Sequence, residues 1–203
     1  METLQKDRFT SLDLNLSIWE RVFTVAPLVI IGTKEDKGYN LAPKHMATPL
    51  GFGNYFGFVC TPRHGTYDNV KENGEFTVSF PKPDQIITTS LSASPRKDNI
   101  SKSQGIVEAL PIVKANSMDA PLIKHAYLYL ECELYIIIDG FDHNSIITGM
   151  VKAAYIDKDY LRISERDEQE QLYKHPLLAY IAPGRFAKVS DTFNFPFPKD
   201  FKK

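Results

Sequence analysis

NYFGFVCTPRHGTYDNVKENGEFTVSF, residues 54–80, decides the fold. It opens as an aromatic, apolar run with an interspersed glycine, the composition of a buried strand where a ligand or another backbone comes close. It closes on EFTVSF, which alternates apolar and polar residues as a half-buried strand does. Between them lies a polar corner: Thr61, Arg63, His64, Gly65 and Thr66. Thr66 is expected to cap a short helix beginning at Tyr67, with Gly74 as its terminator. A helix N-terminus leaves unpaired N–H groups and a partial positive charge, which together suit an anion. Arg63 can add a bidentate charge-assisted contact, Thr61 and Thr66 can donate hydroxyls, and Gly65 lets the backbone approach closely. The alternative is an ordinary strand–turn–helix joint with an exposed arginine.

Working outward, strand signals dominate. Residues 22–33, VFTVAPLVIIGT, are rich in β-branched residues and read as one strand ending at the charged turn KEDKG. YNLAPKHMAT follows, and its Pro43 predicts an edge or a bulge. Residues 126–139 and 145–157 are two long strands separated by GFDHN, so they should form an antiparallel hairpin. LLAYIA adds a last strand. Helical signals are short: PDQIITTSLSAS, opened by Pro83-Asp84, and DNISKSQ, with Asp98 as an N-cap. Many strands and few helices, without regular alternation of the two, argue for a β-barrel or sandwich.

The 203 residues have 43% apolar content and a net charge of -1. That supplies a sizeable core and no basic footprint for nucleic acid. No apolar run is long enough to cross a bilayer as a helix. The opening residues lack the apolar stretch of a secretory signal. Cys60 and Cys132, both in strand-like stretches, read as reduced buried thiols, so the expected compartment is the cytoplasm. The five histidines show no H-x-x-x-H spacing and the cysteines lie far apart, so no metal site is expected. G-x-S-x-G and P-loop motifs are absent, and GFGNYFG does not fit the dinucleotide fingerprint.

Two further places hold candidate groups. In NLAPKHMATPLG, a strand edge can offer backbone donors and acceptors to the rim of a planar ring, with Lys44 and His45 adding positive charge. The plain alternative is a solvated edge strand. In GFDHN, His143 follows Asp142 at a hairpin turn, where Asp-His is ordinarily turn chemistry and otherwise faces a ligand.

Taken in order, NLAPKHMATPLGFGNYFGFVCTPRHGTYDNVKENGEFTVSFP, ECELYIIIDGFDHNSIITGMV and PLLAYIAPGRFAKV resemble the flavin reductase-like family of FMN-binding split barrels, which includes flavoredoxin. The resemblance implies a mainly β fold, an antiparallel Greek-key split β-barrel with a few short helices. It implies one domain over residues 1–203 with a core of about 22–189. It also implies a homodimer with FMN at the subunit interface and NAD(P)H as the electron donor. Asn40 and Met46 would lie along the isoalloxazine, and the backbone from Lys44 through His45, Met46 and Ala47 to Thr48 would meet its edge. Thr61, Arg63, His64 and Thr66 would hold the phosphate. Lys97 and His143 would stabilise charge near the ring. His45 and Met46 depart from the serine and aromatic residue that many relatives carry there. The implied activity is NAD(P)H-dependent flavin reduction. The alternatives are a flavoredoxin-like carrier that passes electrons to a protein acceptor, and a non-catalytic β-barrel module binding another ligand.

Overall fold

A computed structural model describes residues 8–93, 109–163 and 166–199. The strands are β1 (Thr24–Pro27), β2 (Val29–Glu35), β3 (Gly38–Lys44), β4 (Ala47–Pro49), β5 (Tyr55–Cys60), β6 (Glu75–Phe80), β7 (Ile112–Lys114), β8 (Pro121–Ile123), β9 (Leu128–Phe141), β10 (Asn144–Ile156), β11 (Leu177–Ala182) and β12 (Arg185–Val189). Among the described residues three short helices accompany them: α1 (Gly65–Asn73), α2 (Ile86–Leu91) and α3 (Glu168–Lys174). The architecture is mainly β, an antiparallel sheet curled into a half-barrel, as the sequence implies.

The main sheet runs β3-β2-β6-β9-β10-β5-β4. Its two edges, β3 and β4, are separated in the chain only by His45 and Met46. A two-residue link between opposite edges requires the sheet to curl until those edges nearly meet. The barrel seam therefore lies at Lys44–Ala47. The edge position expected from Pro43 is observed, because a missing N–H is harmless where no further strand pairs.

The barrel interior is filled by Val29, Ile31, Phe56, Phe58, Phe76, Val78 and Ile147, all at most 1% exposed. Phe58 and Phe76 pack edge to face with centroids 5.3 Å apart, as do Phe56 and Phe80 at 5.8 Å. Each such side chain contributes about 1.5–3 kcal/mol by leaving water. The opposite face of β2 buries Ile30 against Leu41, Leu110 and Ile123, so this strand is apolar on both sides. Gly32 is needed there: a Cβ would stand 2.1 Å from the Pro121 carbonyl oxygen.

Three expectations need correction. Residues 22–33 are not one strand. Pro27 ends β1, which pairs with β11 in a separate three-stranded sheet, and β2 begins after Leu28 in the main sheet. The β9–β10 strands extend further than expected, leaving only Asp142 and His143 at the turn, with Asp142 at φ 55 and Gly140 at φ 105. Thr66 does not cap α1. The helix starts at Gly65 after an extended His64, and the Thr66 side chain is buried in the first turn. Gly74 does end α1, at φ 70, with its N–H donating to the Val70 carbonyl at 2.9 Å.

PDQIITTSLSAS forms a 3-10 turn over Pro83–Gln85 that runs into α2. The DNISKSQ helix falls outside the described residues. α3 was not expected; Asp167 caps it by accepting the Glu170 N–H at 2.8 Å.

Candidate functional site

The end of β5, the start of α1 and the tip of the β9–β10 hairpin meet at one corner. The register places them there, since Ser145 pairs with Cys60. The Thr61 hydroxyl donates to Asn144 Oδ1 at 3.1 Å, tying the corner to the hairpin tip. Asp139 accepts from the Tyr67 hydroxyl at 3.1 Å and the Ser145 hydroxyl at 2.5 Å, which anchors the hairpin to the first turn of α1. Tyr67 has its pKa raised, first by burial and then by this carboxylate. His143 stands at the tip with a largely exposed side chain, 3.6 Å from its neighbour Asp142.

The side chain of the N-cap residue, His64, does not cap α1. Its leading N–H groups and the positive end of its dipole face the corner. Arg63 is exposed and has no acidic partner among the described residues. Lys44 reaches in from β3 with Nζ 3.5 Å from Cys60 Sγ. Burial pushes the Cys60 thiol up, against the pull of Lys44, so Cys60 stays a protonated, 1% exposed core residue. Acidic groups are near as well: Asp68 in the first turn of α1, Asp139 and Asp142.

Asn40 and Thr66, each 2% exposed, join β3 to this corner. Asn40 Nδ2 donates to Thr66 Oγ1 at 3.0 Å. Asn40 Oδ1 is buried without a hydrogen-bond partner. Buried polar atoms are nearly always paired, so an orphaned acceptor marks a place where something is missing.

On the other side of the seam, Pro43 and His45 face a cleft of about 460 Å³, shared with α2, β11 and the start of β12. The His45 and Tyr180 rings lie 4.5 Å apart at 31°. Burial, and then the charge of Lys44, hold the His45 pKa below its ordinary value. Tyr180 accepts the Gly184 N–H at 2.9 Å.

The residues singled out in the sequence thus fall into groups. Asn40, Lys44, Thr61, Arg63, His64, Thr66 and His143 are gathered at or beside the corner. His45 turns to the cleft. Met46 is 53% exposed at the seam, and its carbonyl accepts the Val59 N–H at 2.8 Å. Ala47 is buried on β4, and Thr48 beside it pairs with Gly57. Lys97 lies outside the described residues. Asp139, Ser145, Tyr180 and Arg185 were missed; only alternation along their strands hinted at which face each occupies.

Residues 22–180 match the model of a family described as flavin reductase like domain. The chain belongs to the flavin reductase-like family. An uncharacterized protein of Pyrococcus abyssi is 23% identical over 134 residues, 66% of this chain and 74% of its own length. Among solved structures, flavoredoxin from Methanosarcina acetivorans superposes with a TM-score of 0.73 at 22% identity, covering 93% of this chain and 95% of that one. The 2-nitrobenzoate 2-nitroreductase of Pseudomonas fluorescens gives 0.75 at 18% identity over 100% and 99% of the two chains. An FMN-binding protein from Thermus thermophilus with bound 1-cyclohex-2-enone gives 0.71 at 19% over 96% and 99%. At these identities the likeness is one of fold, and the flavin reductase-like architecture extends over nearly the whole chain.

Proposed function

We propose that this flavin reductase-like chain is a single-domain, FMN-binding oxidoreductase that takes hydride from NAD(P)H. The observation that carries the reading is the start of α1, where the N-cap His64 supplies no side-chain cap, beside the orphaned Asn40 carbonyl oxygen. The donor set there suits a phosphorylated, hydroxyl-rich ligand: backbone N–H groups and Arg63 for the phosphate, and a buried acceptor for a hydroxyl. Among the described residues no group of three or more His, Cys, Asp or Glu could hold a metal ion.

In this reading Arg63, Thr61 and the α1 N-terminus hold the phosphate. Asn40 keeps Thr66 in place and accepts from the ligand. The seam from Lys44 to Thr48 presents backbone to the ring edge, and Lys44 supplies positive charge beside it. FMN bound there supplies the hydride-accepting centre. His143, carried on the hairpin tip, places a titratable donor at the rim of the site, where it can stabilise developing negative charge. The same function is assigned to Lys97.

The chain is proposed to work as a homodimer. Phe23 just before β1 and Val25 on it are 74% and 72% exposed, and Phe193 and Phe195 in the C-terminal tail are 96% and 70% exposed. Apolar surface of this extent needs cover, and a second copy supplies it.

The test is the visible spectrum of the purified protein, followed by anaerobic titration with NADH and NADPH. A bound-flavin spectrum that bleaches stoichiometrically supports the reading. A protein that takes up no FMN on reconstitution refutes it, and one that binds FMN but is not reduced by either nucleotide refutes the NAD(P)H step.

A further inference from the structure

The cleft beyond the seam has a composition of its own. One wall is the His45–Tyr180 pair, two rings packed on each other with centroids 4.5 Å apart and planes 31° from parallel. Ile86 and Phe186 add apolar lining, the latter 52% exposed. Arg185, which is exposed, also lines the cleft and has no acidic partner among the described residues. The Tyr180 oxygen already accepts the Gly184 N–H, so its own proton is left to donate. His45 has its pKa held low by burial and by Lys44, so it adds ring surface and no charge at neutral pH. Among the described residues the lining thus combines one fixed positive charge, the hydroxyls of Thr89, Ser90 and Tyr180, of which that of Thr89 already donates to the Gln85 carbonyl, and apolar walls, with no acidic side chain.

Each property restricts the occupant. A lining with three aromatic rings favours a planar ring over a puckered one, by offset or edge-to-face contact. An unpaired guanidinium in a fork geometry favours a carboxylate, which it meets through two parallel hydrogen bonds. A volume of about 460 Å³ suits a small molecule.

We propose that this cleft binds a small planar aromatic carboxylate, with Arg185 and the Tyr180 hydroxyl on the carboxylate and the aromatic lining of His45, Tyr180 and Phe186 around the ring. Binding at this cleft does not rest on the flavin reading above.

The probe is benzoate, titrated by calorimetry into the protein with and without saturating FMN. Benzamide and cyclohexanecarboxylate are the neutral and the non-planar comparisons. Benzoate is expected to bind at one saturable site per chain in both states, and both comparisons about tenfold weaker or worse. Arg185→Gln should weaken benzoate about tenfold and leave benzamide unchanged. Arg63→Ala, at the separate anion corner, should leave benzoate unchanged. Ser90 lines the same cleft and is exposed, so Ser90→Trp should obstruct the site without disturbing the core. Equal affinity for benzoate and benzamide overturns the proposal. So does a loss that follows Arg63 instead of Arg185, or benzoate binding that Ser90→Trp leaves intact. Displacement of benzoate by FMN assigns the cleft to the flavin ring and overturns it too. Failure of FMN to bind while benzoate still does sinks the flavin reading alone.

Discussion

Replacing Thr66 by valine keeps the side-chain shape and removes one oxygen. In the folded chain that oxygen is the acceptor for Asn40 Nδ2 at 3.0 Å, and both residues are 2% exposed. Asn40 Oδ1 already lacks a partner, so Thr66→Val would leave the whole amide unsatisfied. A buried donor stripped of its acceptor costs about 1–3 kcal/mol, and a chain of this size loses roughly 2–4 °C of Tm per kcal/mol. The flavin-free protein should therefore melt roughly 2–12 °C lower. Asn40→Leu combined with Thr66→Val removes both polar partners, and replacing both by apolar groups of similar shape is nearly neutral. The double variant should recover most of the loss, giving a coupling of about 1–2 kcal/mol in a double-mutant cycle by urea unfolding. A Thr66→Val protein as stable as the parent, or a double variant that loses the sum of the two single losses, would refute the argument that this pair is a buried, mutually dependent bond.

Gly32→Ala should destabilise by about 3–5 kcal/mol in urea unfolding, because its Cβ would stand 2.1 Å from the Pro121 carbonyl oxygen and 2.4 Å from Thr77 Oγ1, adding overpacking to the breaking of the 2.5 Å Thr77–Pro121 bond. A loss under about 1 kcal/mol would contradict that packing. The Tyr39 hydroxyl, and then Lys34, lower the Asp119 pKa from 3.8 to about 2. The folded value lies below the unfolded one, so this stabilisation is complete above pH 4 or so and is lost as pH falls toward 2. Asp119→Asn should flatten the acid limb of urea midpoints measured from pH 5 to 2, and an unchanged limb would count against the pairing. His143→Ala should slow reduction by NAD(P)H by up to about a hundredfold while changing FMN affinity by less than about tenfold. Stopped-flow reduction at the parent rate would remove His143 from the reaction.

The parts of the fold legible in the sequence are those whose signal is local. The β9–β10 hairpin is written in two long β-rich runs around a polar turn, and Gly74 announces the end of α1 by the left-handed conformation it permits. Pro43 likewise marks an edge by the N–H it lacks. The division of residues 22–33 was not legible, because both sides of Leu28 are equally apolar and only the strands they pair with differ. The start of α1 misled for a related reason. Threonine is a favoured cap, yet Asn40, remote in sequence, takes the Thr66 hydroxyl, and the extended His64 becomes the preceding residue. α3 carried a usable signal in Asp167 and the glutamates that follow it.

The candidate site divides in the same way. Arg63, Gly65 and Thr66 stand together in the chain, so their shared corner could be read directly. Asp139, Tyr67 and Ser145 converge only through strand register. His45 and Lys44 are neighbours in sequence but face different places, one the cleft and the other Cys60, because alternate residues along an extended chain point to opposite sides. Tyr180 and Arg185 meet His45 only because β1, the partner of β11, is continuous with β2 at the seam side of the barrel.

The central claim is that the corner at α1 reads the phosphate of FMN through Arg63. Its most direct test is to titrate FMN and riboflavin, in parallel, into flavin-free parent and Arg63→Ala proteins while following flavin fluorescence. A charge-assisted hydrogen bond contributes about 1.5–3 kcal/mol, so the substitution should weaken FMN binding roughly tenfold to a hundredfold. Riboflavin has no phosphate, and its affinity should stay the same. An equal loss for both flavins, or no loss for either, would contradict the account.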